Sequence, residues 1–282
     1  MKATKKYVGT FAYKGKDVNF SYWLTGTKND DKPDTVLFLG AGQVKSIPKM
    51  VAHQAGPGVV VVDGLPHWHA DPSADDIEAY SVNYVKLALL QILDQFGVKS
   101  MHIMAESQAA PSVLNVVQAF PKKIGNVVLI RPLGFSVRAF GATESQKMKT
   151  FKKRILKSFL QLPQSFLHDP KNIIVGLTLI RAMSSEKTIK ALVKKYAFGI
   201  SYDALEDCKQ VLQIQSNKNT LFSIILGQKD KMFPADEIIG SLESYNLHAL
   251  DIVIVPAATH SSLAVRGSMQ TLRTAVDKAR TK

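Results

Sequence analysis

The chain has 282 residues, 46% of them hydrophobic and 21% charged, which excludes a disordered tail, a collagen-like fibre and a small disulfide scaffold. Lys and Arg number 36 against 23 Asp and Glu, a net charge of +13 that must be localised. Cys208 is the single cysteine, so an intrachain disulfide and a cysteine-rich zinc site are both ruled out.

Thr10 to Tyr13 and Val18 to Leu24 read as two strands around a turn at Gly15-Lys16-Asp17. The polar break Asn29 to Pro33 follows, and then the pattern changes. Thr35 to Leu39 is a short continuous apolar run, as in a strand covered on both faces. Ser46 to Ala55 predicts a helix, and Gly58 to Gly64 another buried strand. Ser73 to Phe96 predicts a long helix with Asp75 and Asp76 in its first turn and Gly97 after its end. Ser100 to Ala105 is a strand, Pro111 to Phe120 a helix, and Gly125 to Ile130 a strand. This alternation argues for an α/β protein with a mostly parallel sheet and helices on both faces.

The alternation stops near Val137, and helical signals dominate from Ser145 to about Gln215. Met148, Phe151, Ile155, Phe159 and Leu160 form one helical stripe, flanked by Lys147, Lys149, Lys152, Lys153, Arg154 and Lys157. Further helices are expected over Ser185 to Phe198 and Ser201 to Gln213. The alternation resumes with a strand over Leu221 to Leu226, a helix over Pro234 to Tyr245, a strand over Asp251 to Val255 and a last helix over Ser262 to Arg280. The layout is a core in two parts, residues 1–136 and 219–282, with a helical insertion over residues 137–218. That insertion holds 15 Lys and Arg against 6 Asp and Glu, and so most of the excess charge.

No apolar stretch of signal-peptide length follows the basic start, and no run of about 18 apolar residues occurs, so a cytoplasmic protein is the expectation.

Three residues carry chemistry. Ser107 lies between the strand Ser100 to Ala105 and the next helix, with alanines two positions away on each side. Small neighbours permit a sharp turn that pushes the hydroxyl out at the top of the sheet. Asp230 falls just past one strand and four residues before the helix-starting Pro234. His260 falls just past the last strand. Their order is Ser, Asp, His, each at the carboxyl end of a parallel strand, where crevices form in such sheets.

This arrangement resembles the α/β-hydrolase superfamily along essentially the whole chain. The resemblance implies an eight-stranded, mostly parallel sheet with a helical cap, and a serine hydrolase that needs no cofactor. By it, Ser107 looks like the nucleophile, His260 the general base and acid, and Asp230 the residue that orients the imidazole. The backbone N–H groups of Ala41 and Gln108 would form the oxyanion hole. Ala105 and Ala109 stand where the family has glycines, and Leu39 where its oxyanion loop begins with His. Serine at the elbow argues against the dehalogenase and epoxide-hydrolase branches, which use Asp there. Carboxylic ester hydrolysis is the expected activity. A catalytically silent ligand-binding relative, or a cofactor-free haloperoxidase or acyltransferase, shares the same pattern.

His67-Trp68-His69 with Asp71 has a metal-like spacing, but no further ligand group is evident, so no metal is expected and His67 and Trp68 are assigned to the pocket mouth. Phe151 and Phe159 of the basic stripe are expected to face the acyl group of a small ester substrate. Glu106, inside the elbow, reads as a buried, hydrogen-bonded carboxylate. The lysines of the insertion could meet an anionic membrane surface. No nucleic-acid module is present.

Overall fold

The computed structural model describes residues 4–13, 15–26, 32–40, 47–64, 77–160, 202–256, 258–260, 263 and 269–281. The expected helix over Ser185 to Phe198 lies outside these residues. Eight strands form one sheet: β1 (Thr4–Tyr13), β2 (Lys16–Thr25), β3 (Thr35–Phe38), β4 (Val59–Val62), β5 (Met101–Glu106), β6 (Ile124–Ile130), β7 (Phe222–Gly227) and β8 (Asp251–Val255). Their order is β1-β2-β4-β3-β5-β6-β7-β8. Strand β2 runs antiparallel to β1 and β4, and the remaining neighbours are parallel.

Side chains of successive strand residues leave on opposite faces of the sheet. Val36, Val60, Ile103, Val127 and Ile224 therefore enter one core. Their neighbours Leu37, Val61, Met104, Val128 and Ile225 enter the other. Helices α2 (Ile77–Phe96), α3 (Ala109–Ala119), α5 (Leu205–Asn217) and α6 (Ala235–Ser244) supply residues to the first core. Helices α1 (Ile47–Ala55) and α7 (Met269–Ala279) supply the second. Two covered faces explain why the central strands read as continuous apolar runs.

Strand β1 begins at Thr4 rather than Thr10, because Thr4 pairs with Thr25 and the hairpin stays in register throughout. Its early lysines suit an edge strand, where charge is tolerated. Helix α3 begins at Ala109 rather than Pro111, since a proline in the first turn sacrifices no intrahelical bond. Leu263 lies in a turn, buried in the second core, and the described part of the last helix starts only at Met269.

In the insertion, α4 (Glu144–Leu160) follows a 3-10 turn over Val137–Phe140. Phe151 is fully buried, while Lys149, Lys153 and Lys157, spaced one helical turn apart, are exposed. The side chains of Met148, Ile155 and Phe159 lie outside the described residues. Among the described residues no helix is long and apolar enough to cross a membrane.

Candidate active site

Strand β3 has β4 on one side and β5 on the other, so the chain changes direction of winding there. In open sheets of this kind, ligands bind in a crevice beyond the strand ends at such a point. Gly40 ends the described part of the first loop, and Ser107 opens the second.

Ser107 has φ +50°, a left-handed conformation that is rare for a residue with a side chain and marks strained functional turns. Hydrogen bonds with β6, the turn after it and α3 hold it there. Its N–H donates to the Ile130 carbonyl at 2.9 Å, and its carbonyl accepts from the N–H groups of Ala110 and Leu133. Ala105 and Ala109 are fully buried and neither has positive φ. The elbow needs small side chains at these two positions, not glycine's conformational freedom, and alanine meets that need. Gly40 presses on the same turn: a Cβ there would stand 3.0 Å from the Ser107 Cβ and 3.1 Å from the Glu106 carbonyl oxygen.

Ser107 Oγ lies 3.2 Å from His260 Nε2, and His260 Nδ1 lies 2.7 Å from Asp230 Oδ2. Asp230 Oδ1 accepts the N–H groups of Met232 and Phe233 at 2.8 and 2.9 Å. Both oxygens of this buried carboxylate are thus engaged. An acceptor at Nδ1 requires the ring proton there, which leaves Nε2 to accept from the serine hydroxyl. The Phe233 ring packs edge-on against the imidazole at 4.9 Å.

The loops bearing Asp230 and His260 are also joined through their backbones. Gln228 and Lys229 donate to the carbonyls of Val255 and Ala258 at 3.1 and 3.0 Å. Gly227 makes this approach feasible, because a Cβ there would stand 2.5 Å from the Ala258 carbonyl oxygen.

The structure therefore brings together three residues that lie more than a hundred positions apart in the chain at their extremes. The Gln108 backbone sits at the N-terminal start of α3, whose dipole favours negative charge nearby. Ala41, His67 and Trp68, along with His69 and Asp71, lie outside the described residues, as does the side chain of Phe159. Phe151 is buried against Phe140, ring centroids 6.4 Å apart. Among the described residues no cluster of His, Cys, Asp or Glu could hold a metal ion.

Sequence reasoning missed two residues. One is Phe233, whose ring meets the imidazole edge-on. Arg131 is buried with its guanidinium 2.6 Å from Glu106 Oε1. The available signal was an arginine directly after the apolar run Val127 to Ile130, at the strand end where the site forms.

No family model matches the chain. Solved structures are nevertheless similar along its whole length. The α/β-hydrolase enzyme MGS-M2 from a Medee basin deep-sea metagenome library superposes with a TM-score of 0.65 at 17% identity, covering 97% of this chain and 98% of that one. A hydrolase from Pseudomonas aeruginosa PA01 gives 0.64 at 16% identity, covering 98% of each chain. A thermophilic esterase from Thermogutta terrifontis gives 0.62 at 15% identity, covering 99% of this chain and all of that one. The protein has the α/β-hydrolase fold, with a serine, a histidine and an aspartate hydrogen-bonded in series at its strand ends.

Proposed function

We propose that this protein is a serine hydrolase of carboxylic esters, working through an acyl-serine intermediate. The observation that carries the reading is the series Ser107–His260–Asp230, with Asp230 fixed by two backbone N–H groups and Ser107 held at positive φ. A serine hydroxyl is a weak nucleophile until a base takes its proton. His260 Nε2 takes that proton as Ser107 Oγ attacks the ester carbonyl carbon. The tetrahedral intermediate bears an oxyanion, for which the N–H groups of Gln108 and Ala41 are the proposed donors. His260 then protonates the departing alcohol, and the acyl-serine forms. Water, activated by His260, attacks the acyl carbon and frees the acid and Ser107. Asp230 keeps the imidazole in the needed tautomer and stabilises the imidazolium.

Residues 137–218 act in this reading as a cap over the crevice, and the substrate is a small ester. The esterase and hydrolase neighbours agree with this reaction class but share the fold alone.

Labelling with a fluorophosphonate probe tests the nucleophile. Wild type is expected to label and to hydrolyse p-nitrophenyl acetate, and Ser107→Ala to do neither while keeping its circular dichroism and melting temperature. Undiminished turnover in Ser107→Ala would end the proposal.

A further inference from the structure

We infer that Glu106 and Arg131 are positioning residues that hold the loops on either side of Ser107 in their working geometry, an inference that rests on the serine-hydrolase reading above. Glu106 is the last residue of β5 and directly precedes Ser107. Its side chain is 5% exposed and that of Arg131 is 1% exposed. Glu106 Oε1 accepts from Arg131 Nη2 at 2.6 Å, and Oε2 accepts the Gly40 N–H at 3.3 Å. Arg131 Nη1 donates to the carbonyl of Thr259, the residue before His260.

One carboxylate and one guanidinium thus tie together the loop after β3, the elbow after β5, the turn after β6 and the loop after β8. Arg131 itself has φ +47°, and its N–H donates to the Ile225 carbonyl at 2.8 Å. A residue with a side chain is strained in that conformation. In this conformation the guanidinium reaches both Glu106 and the Thr259 carbonyl.

Packing alone does not account for the pair. Two charges withdrawn from water carry a desolvation cost that an apolar pair of equal volume avoids. Such an apolar pair would fill the space but hold neither the Gly40 N–H nor the Thr259 carbonyl. Those two groups border the proposed oxyanion loop and the base. A shift of about 1 Å in either can lower a rate by about 100-fold.

The test compares wild type, Glu106→Gln and the paired variant Glu106→Gln/Arg131→Met, all full length. The paired variant leaves no lone buried charge, and Glu106→Gln preserves volume and an acceptor for Gly40 should the paired variant not fold. Rates on p-nitrophenyl acetate are normalised to sites titrated with the fluorophosphonate. In the folded paired variant kcat is expected to fall about 100-fold with KM changed less than about threefold. The downfield proton resonance of His260 Nδ1–H is expected to be sharp in wild type and broadened in both variants. A purely structural role would lower the melting temperature but leave kcat per titrated site and the resonance unchanged, and that result overturns the inference. If wild type takes no fluorophosphonate, the serine-hydrolase reading fails separately. The resonance then decides alone: broadening supports the positioning role, and an unchanged signal overturns it.

Discussion

Asp230 illustrates how much one side chain depends on its surroundings. One oxygen binds the imidazole and the other binds two backbone N–H groups, so the carboxylate cannot rotate without breaking bonds. Replacing it with asparagine keeps the volume but removes the charge and offers an N–H₂ where an acceptor is needed. Asp230→Asn is expected to lower kcat on p-nitrophenyl acetate by about 10⁴-fold. Its KM should stay close to wild type. A residue that only started the following helix would instead show near-normal kinetics and a small loss of stability. Steady-state kinetics alongside urea denaturation separates the two outcomes. Cys208 shows the opposite situation. Burial and then Asp207 push its thiol well above the usual range, which disfavours the thiolate.

At the scale of elements, α4 is more than a solvated basic helix. Arg154 turns inward from the lysines around it. It makes a bidentate pair with Glu237 of α6 at 2.8 and 2.9 Å, donates to the Met232 carbonyl at 3.1 Å and lies 4.4 Å over the Phe140 ring. Phe140 also packs on Phe151 and on Phe233, and Phe233 packs on His260. The helix is therefore docked onto the turn that carries Asp230. Arg154→Met is expected to cost about 1–2 kcal/mol, the range for charge-assisted hydrogen bonds in a partly exposed site. It should also speed proteolytic cleavage within residues 144–160. Lys153→Met, one position away and exposed, is the control and should change neither. Equal effects of the two substitutions would mean that Arg154 is no different from the lysines beside it.

Over the whole molecule, the Ser107–His260–Asp230 series occupies one end of the strands and a second polar network ties down the other. Helix α7 closes that far end. Arg280 pairs with Asp34 at 2.9 Å, Lys278 pairs with Asp251 at 2.9 Å, and Asn126 donates to the carbonyls of Ala279 and Thr281. His102, at the start of β5, accepts the Asn126 N–H on Nδ1 at 3.0 Å. Burial lowers the His102 pKa below 6.5; Asp34 opposes that shift and Arg280 adds to it. The unfolded chain then binds a proton more readily than the folded one, so stability is lost as pH falls below about 6.5 and levels off beneath the folded value. Protonation at Nδ1 would also remove the acceptor for Asn126. Urea midpoints measured from pH 7.5 to pH 5 are expected to fall in wild type. The fall should be shallower in His102→Asn, and equal slopes would remove His102 from the explanation.

What the sequence determined by itself is whatever short-range pattern dictates. The apolar runs of β3 to β7 announce strands buried on both faces, and alternation with helical periodicity announces the parallel sheet. Ser107, Asp230 and His260 were legible because each lies within a few residues of a strand's carboxyl end, and parallel strands end on one side. Ala105 and Ala109 were legible as small neighbours of a tight turn. The remainder needed the tertiary structure. Periodicity assigned Phe151 to an apolar stripe but could not say that it would be fully buried, with Phe140 of an adjacent turn among its neighbours. Arg154 stands among lysines in the sequence, and only the position of α6 shows that it pairs with Glu237. Arg131 and Glu106 lie 25 positions apart, and nothing local joins them. They meet because β5 and β6 are neighbours in the sheet, and strand order is fixed by the packing of all the layers together rather than by any one segment.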